Sequence, residues 1–377
     1  MRRGVVWVWV VLAGVLLVPG AWAQRPPETH PSSARQDIVM SWDRSAMPGD
    51  IELWAPRTVL AYESTSAEGA YATAHLVCDS DADSSKGRCP MRGNDAAMSG
   101  YGDVVVRFNE KRSGMVTDLA ARGRLQRPMT GQACGADYWY AVNRPIWSAR
   151  LDRCGPDSPA GIGAELVIPA SEVARLVAGR WVGELVLNLV GEIDGLALAS
   201  YTFKIDFTIT DYDAVSIYFP EFPQTTPNVD LNLSYDPLAQ TVGGRKPLEM
   251  CLYDGLGSQS EYLGLTVTDT SGRSPGPLGY SLWHDDGGSS DDQRLDYMIE
   301  LEHAGVRRRM ANGVEEQLRG IDTAKLRLVL LPGMTQPVFC VPTPLLLTTP
   351  RVPITEQRAG GYEGQLKVEL RLPTTRP

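Results

Sequence analysis

Residues 201–209 alternate between apolar and polar side chains, in the order Tyr201-Thr202-Phe203-Lys204-Ile205-Asp206-Phe207-Thr208-Ile209. This two-residue period is typical of a β-strand that buries one face and exposes the other. Similar segments of strand length lie on both sides, at residues 104–108, 165–168, 181–189, 229–233, 265–267, 326–330 and 366–372. Because no long amphipathic helix and no repeat accompanies them, the sequence predicts an all-β protein made of two consecutive β-sandwiches.

The N-terminus has the pattern of a secretory signal peptide. Met1-Arg2-Arg3 is basic, residues 5–18 are apolar, and Ala21-Trp22-Ala23 is a typical cleavage site. A membrane anchor is the alternative, but the apolar run is shorter than the roughly 20 residues that span a bilayer. We therefore predict a signal peptide over residues 1–23 and an exported mature chain that begins at Gln24.

Charge and composition argue against several function classes. The formal net charge of −9 disfavours a nucleic-acid partner, which usually requires a basic surface. The four histidines show no metal-ligand spacing, and no hydrolase, metalloprotease or phosphate-loop motif occurs. The sequence predicts no cofactor, no metal and no catalytic residue.

The six cysteines suit an exported protein. In an oxidising compartment an even number of cysteines predicts disulfides, although the sequence leaves their connectivity open. Pairing between neighbours gives Cys78–Cys89, Cys134–Cys154 and Cys251–Cys340. A thiolate metal site is the alternative, but no C-x-x-C is present. This pairing closes separate bridges in each half, and Asp211-Tyr212-Asp213 interrupts the strand pattern between them, so we predict domains over 24–211 and 212–377.

Five short segments occur in an order that resembles a known family. They are FNEKRS (108–113), VIPASE (167–172), VDLNL (229–233), MCLYDG (250–255) and AGGYEG (359–364). Together with the cysteine layout, they resemble the pilus tip adhesin family of the alternate chaperone–usher pathway, the class 5 fimbrial minor subunits. The resemblance covers nearly the whole mature chain.

The resemblance implies an N-terminal adhesin domain and a C-terminal pilin domain, both immunoglobulin-like β-sandwiches. It implies that the pilin fold lacks its last strand, which a periplasmic chaperone and then the major pilin subunit supply. The implied function is attachment from the pilus tip, at the bacterial cell surface, to a host-surface receptor, which we expect to be a glycan. Starting pilus assembly at the outer-membrane usher, after export through the periplasm, belongs to the same expectation.

The end of the chain supports an incomplete sandwich independently. Leu366, Val368, Leu370 and Leu372 share one strand face, and residues 373–377 are too few to form another core strand. A sandwich that ends there leaves an open edge and an apolar groove. The alternative is an ordinary last strand on a complete sheet. We predict that the groove is lined by Val229, Leu231, Leu233, Leu366, Val368, Leu370 and Leu372.

The mature N-terminus is poorly suited to act as a donor strand. Pro26, Pro27 and Pro31 lie within its first eight residues, and proline cannot donate to a strand ladder. A subunit that accepts a strand but donates none belongs at the distal end of a fibre. A disordered leader is the alternative, and it leads to the same position.

The receptor site is not transferable from the family. The arginines that the family's type member uses for sialylated glycans fall on Thr73, Gly191 and Glu192 here, none of them basic. Arginine forks and aromatic rings between residues 112 and 154 offer another candidate surface, made of Arg122, Arg124, Arg127, Tyr138, Trp139 and Arg144. For any one of these residues, a solvated strand face or a core aromatic is the alternative.

A second function class stays open at this stage. A secreted two-domain carbohydrate-active enzyme needs only a pair of carboxylates, and 45 acidic residues provide many pairs. The unpaired final strand and the proline-rich start favour the non-enzymatic tip adhesin.

Overall fold

The computed structural model describes residues 25–65, 70–132, 137–193, 195–222, 224 and 226–373. The predicted signal peptide, residues 1–23, lies outside this range. Strands dominate both halves, which confirms the predicted all-β class. Across the described residues, we find no helix with the length and apolar character needed to cross a membrane.

The N-terminal half forms one nine-stranded sheet with a short helix, α1 (Ala170–Val173), and a 3-10 turn at Arg44–Ala46. Its strands are β1 (Ala34–Asp43), β2 (Ile51–Tyr62), β3 (His75–Val77), β4 (Gly102–Glu110), β5 (Val116–Gln126), β6 (Arg144–Pro145), β7 (Gly161–Ile168), β8 (Gly179–Val190) and β9 (Ala197–Thr210). The main order is β1-β9-β8-β4-β5-β7-β2, with β3 on β8 and β6 on β5. The β1–β9 pair is parallel.

This sheet folds back on itself to enclose a core. Trp54 of β2 contacts Tyr201 and Phe203 of β9, with ring centroids 5.2 and 5.0 Å apart, although β2 and β9 are far apart in the strand order. The alternation that opened the sequence places Phe203, Ile205, Phe207 and Ile209 inside this core. The half is therefore a two-layered β-structure.

The C-terminal half contains three smaller sheets and 3-10 turns at Tyr212–Ala214, Asp291–Gln293 and Ile354–Glu356. Its strands are β10 (Ser216–Tyr218), β11 (Ser234–Asp236), β12 (Thr241–Leu248), β13 (Cys251–Tyr253), β14 (Tyr262–Asp269), β15 (Tyr280–His284), β16 (Arg294–His303), β17 (Val306–Arg309), β18 (Glu316–Arg319), β19 (Arg327–Val329), β20 (Val338–Pro342), β21 (Leu345–Pro353), β22 (Tyr362–Glu363) and β23 (Leu366–Arg371). The sheet orders are β10-β13-β20-β19, β11-β12-β21-β16-β15-β22 with β17 on β16, and β18-β14-β23.

The strand predicted at residues 229–233 is wrong. Asn232 has a φ of 54°, and its backbone N–H donates to Asp230 Oδ1 at 2.7 Å. This Asx-type turn breaks the extended backbone, so Leu231 is buried while Leu233 is 39% exposed. The alternating residues mark a turn-containing segment rather than a strand.

Two disulfides lie in the described part of the chain. Cys78 bonds to Cys89 behind β3, and Cys251 bonds to Cys340 between the adjacent strands β13 and β20. Cys134, a member of the predicted pair Cys134–Cys154, lies outside the described residues. Each observed bridge joins cysteines of the same half.

The two halves meet in a close seam. The Arg112 side chain, in the turn between β4 and β5, donates to the carbonyl oxygens of Ser258 and Ile321 at 3.3 and 3.0 Å. Gly257, with φ +69°, approaches Gly179 so closely that an added Cβ would lie 2.7 Å from the Gly179 Cα. This seam holds one end of the N-terminal half against the C-terminal half.

Candidate functional site

The C-terminal half contains a large open groove of about 1070 Å³. Its floor is built from core side chains, including Leu248, Tyr297 and Leu347. One wall is β10 and the residues that follow it, and the other is β22 with the first part of β23. We call this feature the β10–β23 groove.

Both walls of the β10–β23 groove carry edge strands. Within the described residues, β10 pairs only with β13, and β23 pairs only with β14. The other edge of each strand therefore presents backbone N–H and C=O groups that can pair with an added chain.

Burial differs sharply between the two paired strands β14 and β23. β14 buries its core-facing Leu263, Leu265 and Val267 completely. The core-facing side chains of β23 and the residue after it pack on the same core but remain partly exposed, namely Leu366, Val368, Leu370 and Leu372. The core is therefore covered less well beyond β23 than beneath β14.

Five of the seven predicted groove residues line the groove, and they are Val229, Leu231, Leu233, Leu366 and Val368. Leu370 and Leu372 lie outside the lining, because β23 continues along β14 beyond the end of the groove. The lining also includes Ile217, Phe219 and Phe222, which the sequence prediction missed. The apolar run at residues 215–219 was the available signal.

The rim of the groove is acidic. Asp213, Asp230 and Glu363 line it, and its described lining contains no lysine or arginine. All three carboxylates belong to exposed residues. The groove thus combines an apolar interior with negative charge at its margin.

The N-terminal segment is bound to its own half. The Thr29 N–H donates to the Tyr62 carbonyl at 2.9 Å, and the Tyr62 N–H donates back to Thr29 at 2.8 Å. The Arg25 guanidinium donates to the Thr130 carbonyl oxygen at 2.9 Å. In this conformation, the described start of the mature chain is already used within the molecule.

The candidate receptor surface predicted from residues 112–154 does not form one patch. Arg127 is 1% exposed, and its guanidinium donates to the carbonyl oxygens of Ala74, Ser148 and Arg150 at 3.0, 2.7 and 3.1 Å. Burial lowers its pKa to about 10. Arg127 is therefore corrected to a structural residue, because all of its donors point into the protein.

Arg144 and Trp139 are also structural. Arg144 is buried and forms an ion pair with Asp152, with Nη2 2.8 Å from Oδ1. Trp139 is buried beneath the guanidinium of Arg57 and packs on Gly163, where an added Cβ would lie 2.4 Å from the ring. Neither side chain is available to a receptor.

Tyr138 lies apart from the remaining candidates. Its ring is half-buried beneath the Arg25 guanidinium, 5.3 Å from the ring centroid. It therefore belongs to the packing of the N-terminal segment rather than to a common surface with Arg122.

Arg122 and Arg124 lie at a separate cleft of about 560 Å³ on the N-terminal half, which we call the Tyr101 cleft. Arg124 contacts Glu165 at 2.5 Å and lies 4.7 Å from the centroid of the Tyr101 ring. The Tyr101 hydroxyl donates to Glu165 at 3.1 Å. Burial and the neighbouring Glu165 raise the pKa of Tyr101, so the hydroxyl keeps its proton. Sequence reasoning missed Tyr101 because it precedes β4 by one residue, outside the arginine-rich stretch.

The three positions of the family's arginines do come together. Thr73 Oγ1 donates to the Gly191 carbonyl oxygen at 2.6 Å, and Glu192 follows as an exposed residue. The location is shared with the family expectation, but the charge there is acidic.

Comparisons with known proteins agree with this architecture. The family model for the first domain of CfaE, a CFA/I fimbrial protein, matches residues 19–212, and the model for its second domain matches residues 215–374. The E component of the CFA/I fimbria of Escherichia coli is 28% identical over 303 residues, which cover 78% of this chain and 78% of that protein.

Two solved structures share the fold. The crystal structure of CfaE, the adhesive subunit of the CFA/I fimbria of enterotoxigenic E. coli, aligns with a TM-score of 0.69 at 23% identity over 93% of this chain and 95% of that chain. A chaperone–tip adhesin complex of CFA/I fimbriae biogenesis aligns with a TM-score of 0.66 at 23% identity over 93% of this chain and 99% of that chain.

The matched relatives are fimbrial subunits, so the alternative of a carbohydrate-active enzyme finds no support among them. One of the two matching domain models by itself covers more than half of the chain, and the other covers most of the remainder. On this evidence, the chain belongs to the CfaE family of CFA/I-type fimbrial proteins.

Proposed function

We propose that this chain is the non-enzymatic adhesive subunit at the tip of a chaperone–usher fimbria, displayed on the bacterial surface after export through the periplasm. Residues 24–211 form the adhesin domain that attaches to a host-surface receptor, and residues 212–377 form the pilin domain. The β10–β23 groove, with its two open strand edges, is the observation that carries this proposal.

The groove has the properties of an acceptor for one extended strand. An added strand can pair with the free edges of β10 and β23 while its inward side chains cover the floor. Donor-strand complementation of pilins is an established form of recognition by strand addition. Alternating apolar side chains in the donor match the partly exposed side chains of Ile217, Leu366 and Val368.

Strand addition is strong enough to decide whether the domain persists. Covering an apolar side chain contributes about 1.5–3 kcal/mol. Four such side chains give a gross gain comparable with the roughly 5–15 kcal/mol that stabilises a whole domain. We expect a periplasmic chaperone to supply the strand first, and the major pilin to replace it at the outer-membrane usher.

The N-terminal segment favours a position at the fibre end. The hydrogen bonds between Thr29 and Tyr62 hold this segment on its own half, and Pro26, Pro27 and Pro31 remove three donors from it. A chain that receives a strand and supplies none terminates the fibre.

The acidic rim adds a preference for the donor. Asp213, Asp230 and Glu363 attract positive charge, so a donor with lysine or arginine beside its apolar core fits better than one with acidic flanks.

A fusion experiment tests the proposal. The mature chain 24–377 is extended at its C-terminus by a flexible linker and an alternating Val/Thr donor segment with a lysine at each end. A net gain of about 3 kcal/mol raises the melting temperature by about 6–12 °C for a domain of this size. The matched control carries aspartate in place of each valine, and an equal melting temperature for both fusions contradicts the proposal.

A further inference from the structure

We infer that the Tyr101 cleft is a binding site for a neutral saccharide. The inference deepens the proposed adhesive function and rests on it. The cleft has a volume of about 560 Å³, which lies within the usual 300–1,000 Å³ range of small-ligand sites. Ile38 and Met40 of β1 and Val167 of β7 provide its apolar surface.

The aromatic ring at this site is fixed before any ligand arrives. The Arg124 guanidinium lies over the Tyr101 ring at 4.7 Å, and the same Glu165 carboxylate accepts from both Arg124 and the Tyr101 hydroxyl. Glu165 is 8% exposed, whereas Tyr101 is 44% exposed. A held, amphipathic ring of this kind packs against the apolar face of a sugar with little loss of side-chain entropy.

Two polar side chains of the cleft are free to meet hydroxyl groups. Arg122 and Glu52 are exposed, and within the described residues their side chains make no hydrogen bond or ion pair. A guanidinium provides several donors and a carboxylate provides only acceptors. Together they satisfy neighbouring sugar hydroxyls, each of which both donates and accepts.

The charge of the cleft favours a neutral ligand. Asp50, Glu52 and Glu165 line it with Arg122, and Arg124 adds one further positive charge beside it. Negative groups therefore exceed positive groups, so a sialylated or sulfated ligand would meet like charge. The cleft differs in this respect from an arginine cluster that recognises an acidic sugar.

The test uses the full mature chain 24–377 on immobilised neutral oligosaccharides that end in glucose, galactose or N-acetylhexosamine, beside sialylated and sulfated versions. We expect binding to a neutral probe. Arg122→Gln and Glu52→Gln should each weaken it about tenfold, and Tyr101→Ala at least as much. Arg180→Gln is the matched control, because this exposed arginine lies on β8 outside the cleft.

Unchanged melting temperatures for Arg122→Gln and Glu52→Gln show that a loss of binding is not a loss of folding. The inference is overturned if these variants bind as the parent does, if sialylated probes bind better than neutral ones, or if no neutral probe binds. The fused donor segment separates these failures from failure of the tip-adhesin proposal, since it acts on the other half of the molecule. Stabilisation by the donor with no neutral-glycan binding retains that proposal and removes only the cleft assignment.

Discussion

Val368 of β23 lies directly opposite Val267 of β14 in the antiparallel ladder, yet Val267 is 0% exposed and Val368 remains partly exposed. Side chains directly opposite each other share one face of a sheet. The difference arises because β14 is flanked by β18 and β23, whereas β23 borders the β10–β23 groove.

This relationship predicts different effects for two matched substitutions. Val368→Ala should destabilise the free chain by less than about 1 kcal/mol, because its methyl groups are only partly buried. With a donor strand bound, the same change should raise the donor dissociation constant about fivefold to tenfold. Val267→Ala should cost about 2 kcal/mol with or without the donor. Denaturant unfolding and titration with a donor peptide measure these terms, and equal donor affinity for parent and Val368→Ala contradicts the prediction.

The buried arginine of the N-terminal half should behave as a structural residue. Arg127→Met leaves the carbonyl oxygens of Ala74, Ser148 and Arg150 without their donor. We expect a loss of about 2–4 kcal/mol in the free energy of unfolding. Arg122→Gln, at an exposed position of the cleft, should change it by less than about 0.5 kcal/mol. Similar losses for the two variants would argue against the different roles assigned to them.

Asp43 gives the N-terminal half a defined pH dependence. Burial acts to raise the pKa of this carboxyl, but hydrogen bonds from Ser45, Thr210 and Tyr212 outweigh burial and lower the pKa to about 2. Since the folded value lies below the ordinary value of 3.8, these bonds stabilise the fold fully above about pH 4 and are lost as the pH falls toward 2.

The corresponding variant is Asp43→Asn. At pH 7 we expect the free energy of unfolding to fall by about 1–2 kcal/mol. The difference from the parent should shrink between about pH 4 and pH 2. Denaturant unfolding at a series of pH values measures this difference, which a merely steric effect of the amide would leave constant.

The disulfide of the C-terminal half should stabilise it measurably. Cys251 and Cys340 are separated by 89 residues and join two adjacent strands. Replacing both cysteines by alanine should lower the free energy of unfolding by about 2–5 kcal/mol. Melting under oxidising and reducing conditions provides the control, because the double variant should lose the part of the redox sensitivity that comes from this bridge.

Sequence patterns predicted the strands best where one face is buried and the other is wet. The alternation at residues 201–209 lies within β9, and 366–372 covers β23. The same alternation failed at 229–233, because the local bond from Asn232 to Asp230 competes with strand geometry.

The arginines show a second limit of sequence reasoning. Arg122, Arg124 and Arg127 lie close together in the chain, but β5 ends at Gln126 and Arg127 turns inward. Composition cannot distinguish a guanidinium that binds internal carbonyl groups from one that faces solvent. Tyr101 reaches the arginines only through the pairing of β4 with β5, which brings Asp103 opposite Arg122.

Amide hydrogen exchange of the mature chain, with and without the fused donor segment, tests the strand-acceptor proposal most directly. We expect the outward-facing amides of Ser216–Tyr218 and Leu366–Arg371 to exchange rapidly in the free chain and to gain strong protection with the donor present. Strong protection of both strands in the free chain, or no change on fusion, would contradict the proposal that this domain is completed by a strand from another protein.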